Sequence, residues 1–505
     1  MTEPRDPSDP GHEPDEPEPD ESQEPALDDP AGLGLGERDP DGLDVTAAEL
    51  EALGLDPDAL EDDDTDDAGG ARTAGTVAGT PPAGAGPTAV GALDDLLDRP
   101  SERYDPERLR TLLELLGRPD QAQPAVVVCA SHGASSLARM IAALLGALGL
   151  TAGTYETAHL QDPAERCRVA AELPDRPSLE ASAAELAAYL AEADSRFPDP
   201  VSRDEALAAL AFSRFADAPV DLAVVEAGDA GERGPAGFVR AEVVVVGPLE
   251  DDDATTAAAL ARDAPVVVET PAGGPAGATE RDTPGDVGTR WVVVGRDAEL
   301  AGRDLAVAGQ HLSLQGVTGE VDDVYLALQG RHQADHAVAA LAAVEGLLGF
   351  AGGLDPEVVR EGFAAVRAPA RLEVVRRPDA ATVVLDLADR PARARALSRA
   401  LDEEFAFDRR LLVAAPAASA DVAATLQPLV GPGGHVVATP AAGAADPERV
   451  VAAAEALGAR AETADDPAHA LEAASRSAGA TDAIVVAGVA ALAGAIRAAL
   501  GLAPA

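Results

Sequence analysis

One pattern restricts the fold more than any other: from about Ala92 onward, short runs of β-branched residues that stop at glycine or proline alternate with segments of helical period. The helical patterns GALDDLLD and PERLRTLLELLG precede the run AVVVCA, which leads into the helical stretch SLARMIAALLGALG and the short run TAGTYE. VDLAVVEAG and AEVVVVGP continue the series. Continuous apolar runs of this kind are how strands covered on both faces look, and their alternation with helices predicts a parallel α/β sheet. A second series opens near Arg371 with RLEVVRRPDAATVVLDLA and continues through RARALSRALDEEF, RRLLVAAPA and DAIVVAGV, predicting a smaller α/β domain. No repeat of solenoid period is present. The expected division is a tail at 1–90, a central domain at 91–367 and a C-terminal domain at 368–505.

The tail belongs to neither series. Residues 1–88 are dominated by Asp, Glu, Pro and Gly and carry too little apolar surface to offset the entropy of ordering them, so a disordered acidic tail is expected. Inside it, VTAAELEALGLDPDAL (Val45 to Leu60) has apolar residues at helical spacing and reads either as a transient helix or as a segment that docks on a protein partner. Asp62 to Asp64 with Asp66 and Asp67 lack the spaced glycine and terminal glutamate of a calcium loop and read as a solvated charge run.

Charge narrows the partners. A formal net charge of -51 over 505 residues argues against nucleic acid and against an anionic membrane face. All 38 basic side chains are arginine; lysine is absent, which excludes a Schiff-base, phosphate-loop or carbamylated lysine. Two cysteines, Cys129 and Cys167, give neither a disulfide framework nor a zinc cluster, and a reducing compartment is expected. The acidic, proline-rich beginning is unlike a secretory signal and no apolar run reaches membrane-spanning length, so the expected location is cytoplasmic.

The stretch VVVCASHGASSLARMIAALLGALGL has the outline of a strand, a small-residue turn and a helix, an arrangement that often holds a phosphate at the helix start. Its turn comprises Ser131, His132, Gly133, Ala134, Ser135 and Ser136. Backbone N–H groups at such a turn favour an anion, but no cation follows the glycine.

From about Ala92 to the end the chain resembles the folylpolyglutamate synthase/dihydrofolate synthase family, Mur-ligase-like enzymes of folate and one-carbon metabolism, in its actinobacterial form. Long collinear stretches carry the resemblance, including ELAGRDLAVAGQHLSLQGVTGEVDDVYLALQGRHQADHAVAALAAVEGLLG and LDPEVVREGFAAVRAPARLEVVRRP. It implies a parallel-sheet, P-loop-type ATPase domain, a smaller Rossmann-like C-terminal α/β domain, and a cleft between them that uses ATP and Mg²⁺. In such enzymes ATP phosphorylates a folate carboxylate, and the amine of glutamate attacks the acyl phosphate to form an amide.

Departures from the family fall on the ATP site. Where relatives read G-T-N-G-K, this chain reads ASHGA, with Ala130 for the first glycine and Ala134 for the lysine. The lost charge-assisted hydrogen bond is worth about 1.5–3 kcal/mol in binding. The nearest arginine in the loop helix, Arg139, is more than a turn further on and is expected to point elsewhere. ETAHL keeps the histidine of T-S-P-H-L as His159 and has Thr157 for the serine that binds magnesium. The magnesium-binding glutamate is retained as Glu226, the glycine-rich turn after it gains Asp229, the metal-binding histidine becomes Asp253, and the block with the carbamylated lysine has no counterpart. Thr157, Glu226 and Asp253 would form an oxygen-rich set suited to Mg²⁺, while Glu226 also reads as a hydrogen-bonded buried carboxylate.

Further on, His332 and Gln333 are retained and His336 replaces an asparagine. Arg371 and Asp386 match positions that contact ATP in the family, and they also read as an ion pair across the domain junction. A family His-Asn pair becomes Asp389 and Arg390. His132 reads as a replacement tolerated after loss of function, or as a new base. Two hypotheses follow: a catalytically degenerate relative kept for binding or regulation, or an active amide ligase with a rebuilt ATP/Mg²⁺ site that acts on folate and glutamate.

Overall fold

The computed structural model describes residues 91–100, 104–248, 254–270, 288–431 and 433–504. The chain divides into a unit Met1–Gly42, outside those residues, and a unit Leu43–Ala505 to which everything below belongs. The expected acidic tail, its segment Val45 to Leu60 and its aspartate run lie outside the described residues.

Seven strands form the first sheet: β1 Pro124–Cys129, β2 Ala152–Tyr155, β3 Cys167–Val169, β4 Leu222–Glu226, β5 Arg240–Val246, β6 Val266–Glu269 and β7 Arg290–Val293. Their order is β3-β2-β4-β1-β5-β6-β7. All neighbours are parallel except β3, which runs antiparallel to β2 at one edge. Every residue of β1 is buried. Val126 and Val128 face a core built with the helices Ala134–Ala147 and Arg331–Leu347, while Ala125, Val127 and Cys129 face a second core built with Pro106–Leu115, Arg176–Asp194 and Arg203–Asp217. That two-sided cover is why the strand is apolar throughout instead of alternating.

Between the two parallel sheets lies a feature that the strand-helix alternation did not predict. β8 Glu299–Ala306, β9 Gly309–Gln315 and β10 Glu320–Leu326 make a three-stranded antiparallel meander in the order β10-β9-β8. One side of it, through Leu312, Leu314, Val321 and Val324, joins the core of the first sheet.

The C-terminal sheet contains β11 Glu373–Val375, β12 Thr382–Asp386, β13 Arg410–Ala415, β14 His435–Ala438, β15 Arg460–Thr463 and β16 Ala483–Gly488, in the order β11-β12-β16-β13-β14-β15. It is parallel except for β11 and carries a hydrophobic cluster on each face.

Contacts at several places fasten this sheet to the rest. The helix Ala490–Ala499 approaches the segment after β2 so closely that a Cβ on Gly494 would fall 1.8 Å from the Leu160 carbonyl oxygen. Arg497 on the same helix bonds Gln161 at 2.9 Å and pairs with Glu373. Elsewhere Glu404, at the end of the helix Pro391–Glu404, pairs with Arg303 of β8 and accepts the Gly330 N–H at 2.9 Å, just ahead of the helix Arg331–Leu347. Among the described residues no helix is long and apolar enough to cross a membrane.

Candidate functional site

A cleft of about 740 Å³ opens where the carboxyl ends of the strands in the two parallel sheets meet, the usual place for a ligand in open α/β sheets. On one side β1 ends and the chain turns through Ala130–Gly133 into the helix Ala134–Ala147. Gly133 takes a left-handed φ of 79°, and the first intrahelical bond runs from Leu137 N to Gly133 O at 3.0 Å. The N–H groups of Ala134, Ser135 and Ser136 thus precede the helix ladder, as an anion-binding turn requires. Ser131, His132, Gly133, Ala134 and Ser135 all line the cleft, whereas Ser136 is turned inward, its Oγ accepting from Gln333 Nε2 at 3.2 Å.

No cation follows the loop glycine in the sequence, and the opposite sheet brings cations to the loop instead. Arg371, just before β11, donates through Nη2 to Ser135 Oγ in the first turn of the loop helix. Arg393, in the first turn of Pro391–Glu404, donates to the Ser131 carbonyl at 2.6 Å and to Asp389 Oδ1 at 2.9 Å. Arg390 lies 3.5 Å from the same carboxylate. Arg139 does point elsewhere, bonding Glu156 at 2.8 Å.

Burial lowers the pKa of Arg371, with Glu156, Glu226 and Asp386 pulling it back. Burial likewise pushes the Asp386 carboxyl up to about 6, against the Leu372 N–H that it accepts at 2.8 Å and against Arg371. The junction is therefore bridged by Arg371 and Ser135 and not, as the ion-pair reading had it, by Arg371 and Asp386.

The adjacent ends of β2 and β4 bring Thr157 and Glu226 together, the Thr157 N–H donating to Glu226 Oε2 at 3.0 Å. Burial, then the nearby Glu156, raise the Glu226 pKa. Glu226 is hydrogen-bonded, as one reading expected, and it also lines the cleft. Asp253 and the side chain of Asp229 lie outside the described residues. Among the described residues no group of three or more His, Cys, Asp or Glu is gathered for a metal. Two hard oxygen donors on the cleft wall, one a carboxylate crowded by another, still fit a Mg²⁺ held jointly with phosphate oxygens, which is how that ion is commonly bound.

His332 and Gln333, at the start of Arg331–Leu347, line the cleft beside the loop. His159 does not join them: its Nδ1 accepts from Arg166 Nε at 3.2 Å, and burial together with Arg166 and Arg203 lowers its pKa to about 4. It is part of a polar layer in which Arg166 also pairs with Asp204 at 2.7 Å. Tyr104, Asp204 and Arg233 line the cleft too and were not singled out from the sequence, nor was Arg393. For Arg393 a signal existed: it follows the end of β12 by seven residues, in the first turn of the next helix, where ligand groups gather in α/β folds.

Two open α/β sheets meeting at their strand ends over a strand-turn-helix loop define a protein of the Mur-ligase class, and residues 370–490 match the Mur ligase glutamate ligase domain. The dihydrofolate synthase/folylpolyglutamate synthase of Mycobacterium tuberculosis is 34% identical over 345 residues, covering 62% of this chain and 70% of that protein. The chain belongs to the dihydrofolate synthase/folylpolyglutamate synthase family. A probable bifunctional folylpolyglutamate synthase/dihydropteroate synthase of Haloferax volcanii is 33% identical over 61% of this chain, which spans 37% of that longer protein. The structure of M. tuberculosis folylpolyglutamate synthase complexed with ADP superposes with a TM-score of 0.73 at 32% identity, over 83% of this chain and 100% of that one. The Lactobacillus casei enzyme superposes at 0.67 with 26% identity, over 82% and 99%.

Proposed function

We propose that this is a folylpolyglutamate synthase-like protein that has kept the cleft for a phosphate-bearing ligand and lost efficient amide-bond formation, and that it serves in binding or regulation. The carrying observation is Ala134 at the start of the loop helix, buried and without charge. Each guanidinium that reaches the loop comes with carboxylates nearby: Asp389 bonded to Arg393, and Glu156, Glu226 and Asp386 around Arg371. Transition-state stabilisation needs a net, preorganised cation where charge develops, and these pairs leave little net charge. What remains is suited to holding: the N–H groups of Ala134 to Ser136 receive phosphate oxygens, Arg371 and Arg393 flank them, and Asp386 is placed for a polar group of the ligand. Thr157 and Glu226 would hold a Mg²⁺, which would supply charge neutralisation at the phosphates.

A second reading, an active ligase joining glutamate to folate at the expense of ATP, is favoured by the contact of Arg371 with Ser135, which places a cation one residue from the missing lysine. On either reading the domains are proposed at 91–367 and 368–505, the location is cytoplasmic, the acidic tail is a candidate docking segment for a protein partner, and neither nucleic acid nor membrane is a partner.

Calorimetry with Mg·ATP, paired with an assay of ADP release, tests the proposal. The unmodified protein is expected to bind weakly and to release no ADP in response to folate and glutamate. Ala134→Lys should tighten Mg·ATP binding by about 10- to 100-fold, the equivalent of one charge-assisted hydrogen bond. Folate- and glutamate-dependent ADP release by the unmodified protein would overturn the degenerate reading in favour of the second.

A further inference from the structure

Three histidines meet at the phosphate loop. His132 belongs to the loop and lines the cleft; His332 and His336 sit one turn apart on Arg331–Leu347 with ring centroids 5.9 Å apart and planes at 81°. The His336 ring lies directly against the loop, since a Cβ on Gly133 would fall 2.1 Å from its Cε1. Nδ1 of His132 and Nδ1 of His336 are buried without a hydrogen-bond partner, and so is Oε1 of Gln333, a side chain 1% exposed that lines the cleft. Native proteins rarely leave such atoms unmet, and a group of them at the wall of a ligand cleft points to a ligand that meets them.

The charges around the cluster come from three directions. The C-terminal sheet contributes Arg393 and Arg399 on Pro391–Glu404, with Asp389, Arg390, Asp386 and Arg371 along the same wall. Arg303 reaches it from β8. The loop and the helix contribute the other histidines. Burial and the arginines hold the His132 pKa below its usual value; burial with His132 and the arginines puts His332 at about 4; burial with both other rings puts His336 at about 3. Burial and the neighbouring positive charges thus favour the neutral form of all three rings.

We propose that phosphate binding at this loop is proton-coupled: His132 takes up a proton from solution as the anion arrives, and that proton stands in for the lysine that the loop lacks. The inference rests on the reading of the cleft as a phosphate site. An anion beside an imidazole favours its charged form, so the His132 pKa rises on binding. Affinity then increases as pH falls through the bound-state pKa and levels off below the free-state pKa. His132 is the best placed of the three, half-buried within the loop, whereas His336 is 4% exposed and held deeper.

The test uses the full chain with metal-free ADP as probe. Calorimetry between about pH 6 and 8, in paired buffers of different ionisation enthalpy, gives both affinity and protons exchanged. The same titrations on His132→Asn cancel the ionisation of ADP itself. Affinity is expected to tighten by up to about tenfold per pH unit, with close to one proton taken up, and both effects should vanish in His132→Asn. Imidazole ¹H–¹³C spectra of the unmodified protein, with eight histidines to resolve, should show one ring titrating at higher pH when ADP is bound. ADP that binds with the same proton balance in both proteins, and shifts no imidazole, overturns the inference and leaves the phosphate site standing. ADP that binds at no pH overturns both.

Discussion

Adding one carbon at Gly133 should break the loop in a way that a second substitution repairs. In Gly133→Ala the left-handed φ of 79° costs alanine about 1–2 kcal/mol. The new methyl would also stand 2.1, 2.6 and 3.1 Å from Cε1, Nε2 and Nδ1 of His336, so the ring must move, an overpacking cost of about 1–3 kcal/mol. The single substitution should therefore destabilise the first sheet by about 2–5 kcal/mol. His336→Ala removes the obstacle, so in the double variant Gly133→Ala adds only its backbone cost to that of His336→Ala itself, and a favourable coupling of about 1–3 kcal/mol should appear. Trp291 makes the assay local: it is the one tryptophan of the chain, lies on β7 of the same sheet and is 41% exposed, so its fluorescence follows that sheet through urea unfolding. Midpoints of that transition are the quantity to compare, since a chain with more than one sheet need not unfold in one step. A Gly133→Ala protein with the native midpoint, or a double variant as weak as the sum of the singles, would refute the steric account.

Two further expectations concern charge. Arg371→Gln keeps a donor near Ser135 but removes the cation, and ADP affinity should fall by about 10- to 100-fold; an unchanged affinity would show that this guanidinium does not face the phosphates. Asp386, with a folded pKa of about 6 against an unfolded value near 4, is more readily protonated in the native state, so its contribution to stability is present below about pH 4 and is lost as pH rises through about 6. Asp386→Asn cannot titrate and should be more stable than the native protein at pH 7.5, the difference closing toward pH 4.5; parallel urea midpoints across that range would contradict the burial argument.

The strand-helix alternation made both parallel sheets legible, because runs such as AVVVCA and AEVVVVGP are apolar for a reason visible in one dimension: both faces are covered. The meander of β8 to β10 was not legible in that way. Its exposed side keeps Asp304, His311 and Asp323, so its strands read as mixed polar sequence, and its cover comes from a helix further along the chain. In the site, Thr157 and Glu226 were found and do meet, since Glu226 ends β4 and Thr157 closely follows the end of the neighbouring β2. Arg371 was found by its motif, but its contact with the loop was not, and Arg393 was missed altogether, because the two reach the loop across 236 and 262 positions of sequence. His159 bonds Arg166, and motif matching cannot distinguish such a contact from chemistry.

Gly494 and Leu160 touch backbone to backbone, and a seam of that kind has no side chain to lengthen or shorten. So close a contact leaves no room for a side chain at that point of the seam. The long arginines that span the gap, Arg303 to Glu404 and Arg393 to Ser131, are the members with slack in their methylene chains. Any widening of the mouth would have to break the contacts of Arg303, Arg371 and Arg393 while the Gly494 seam stays close.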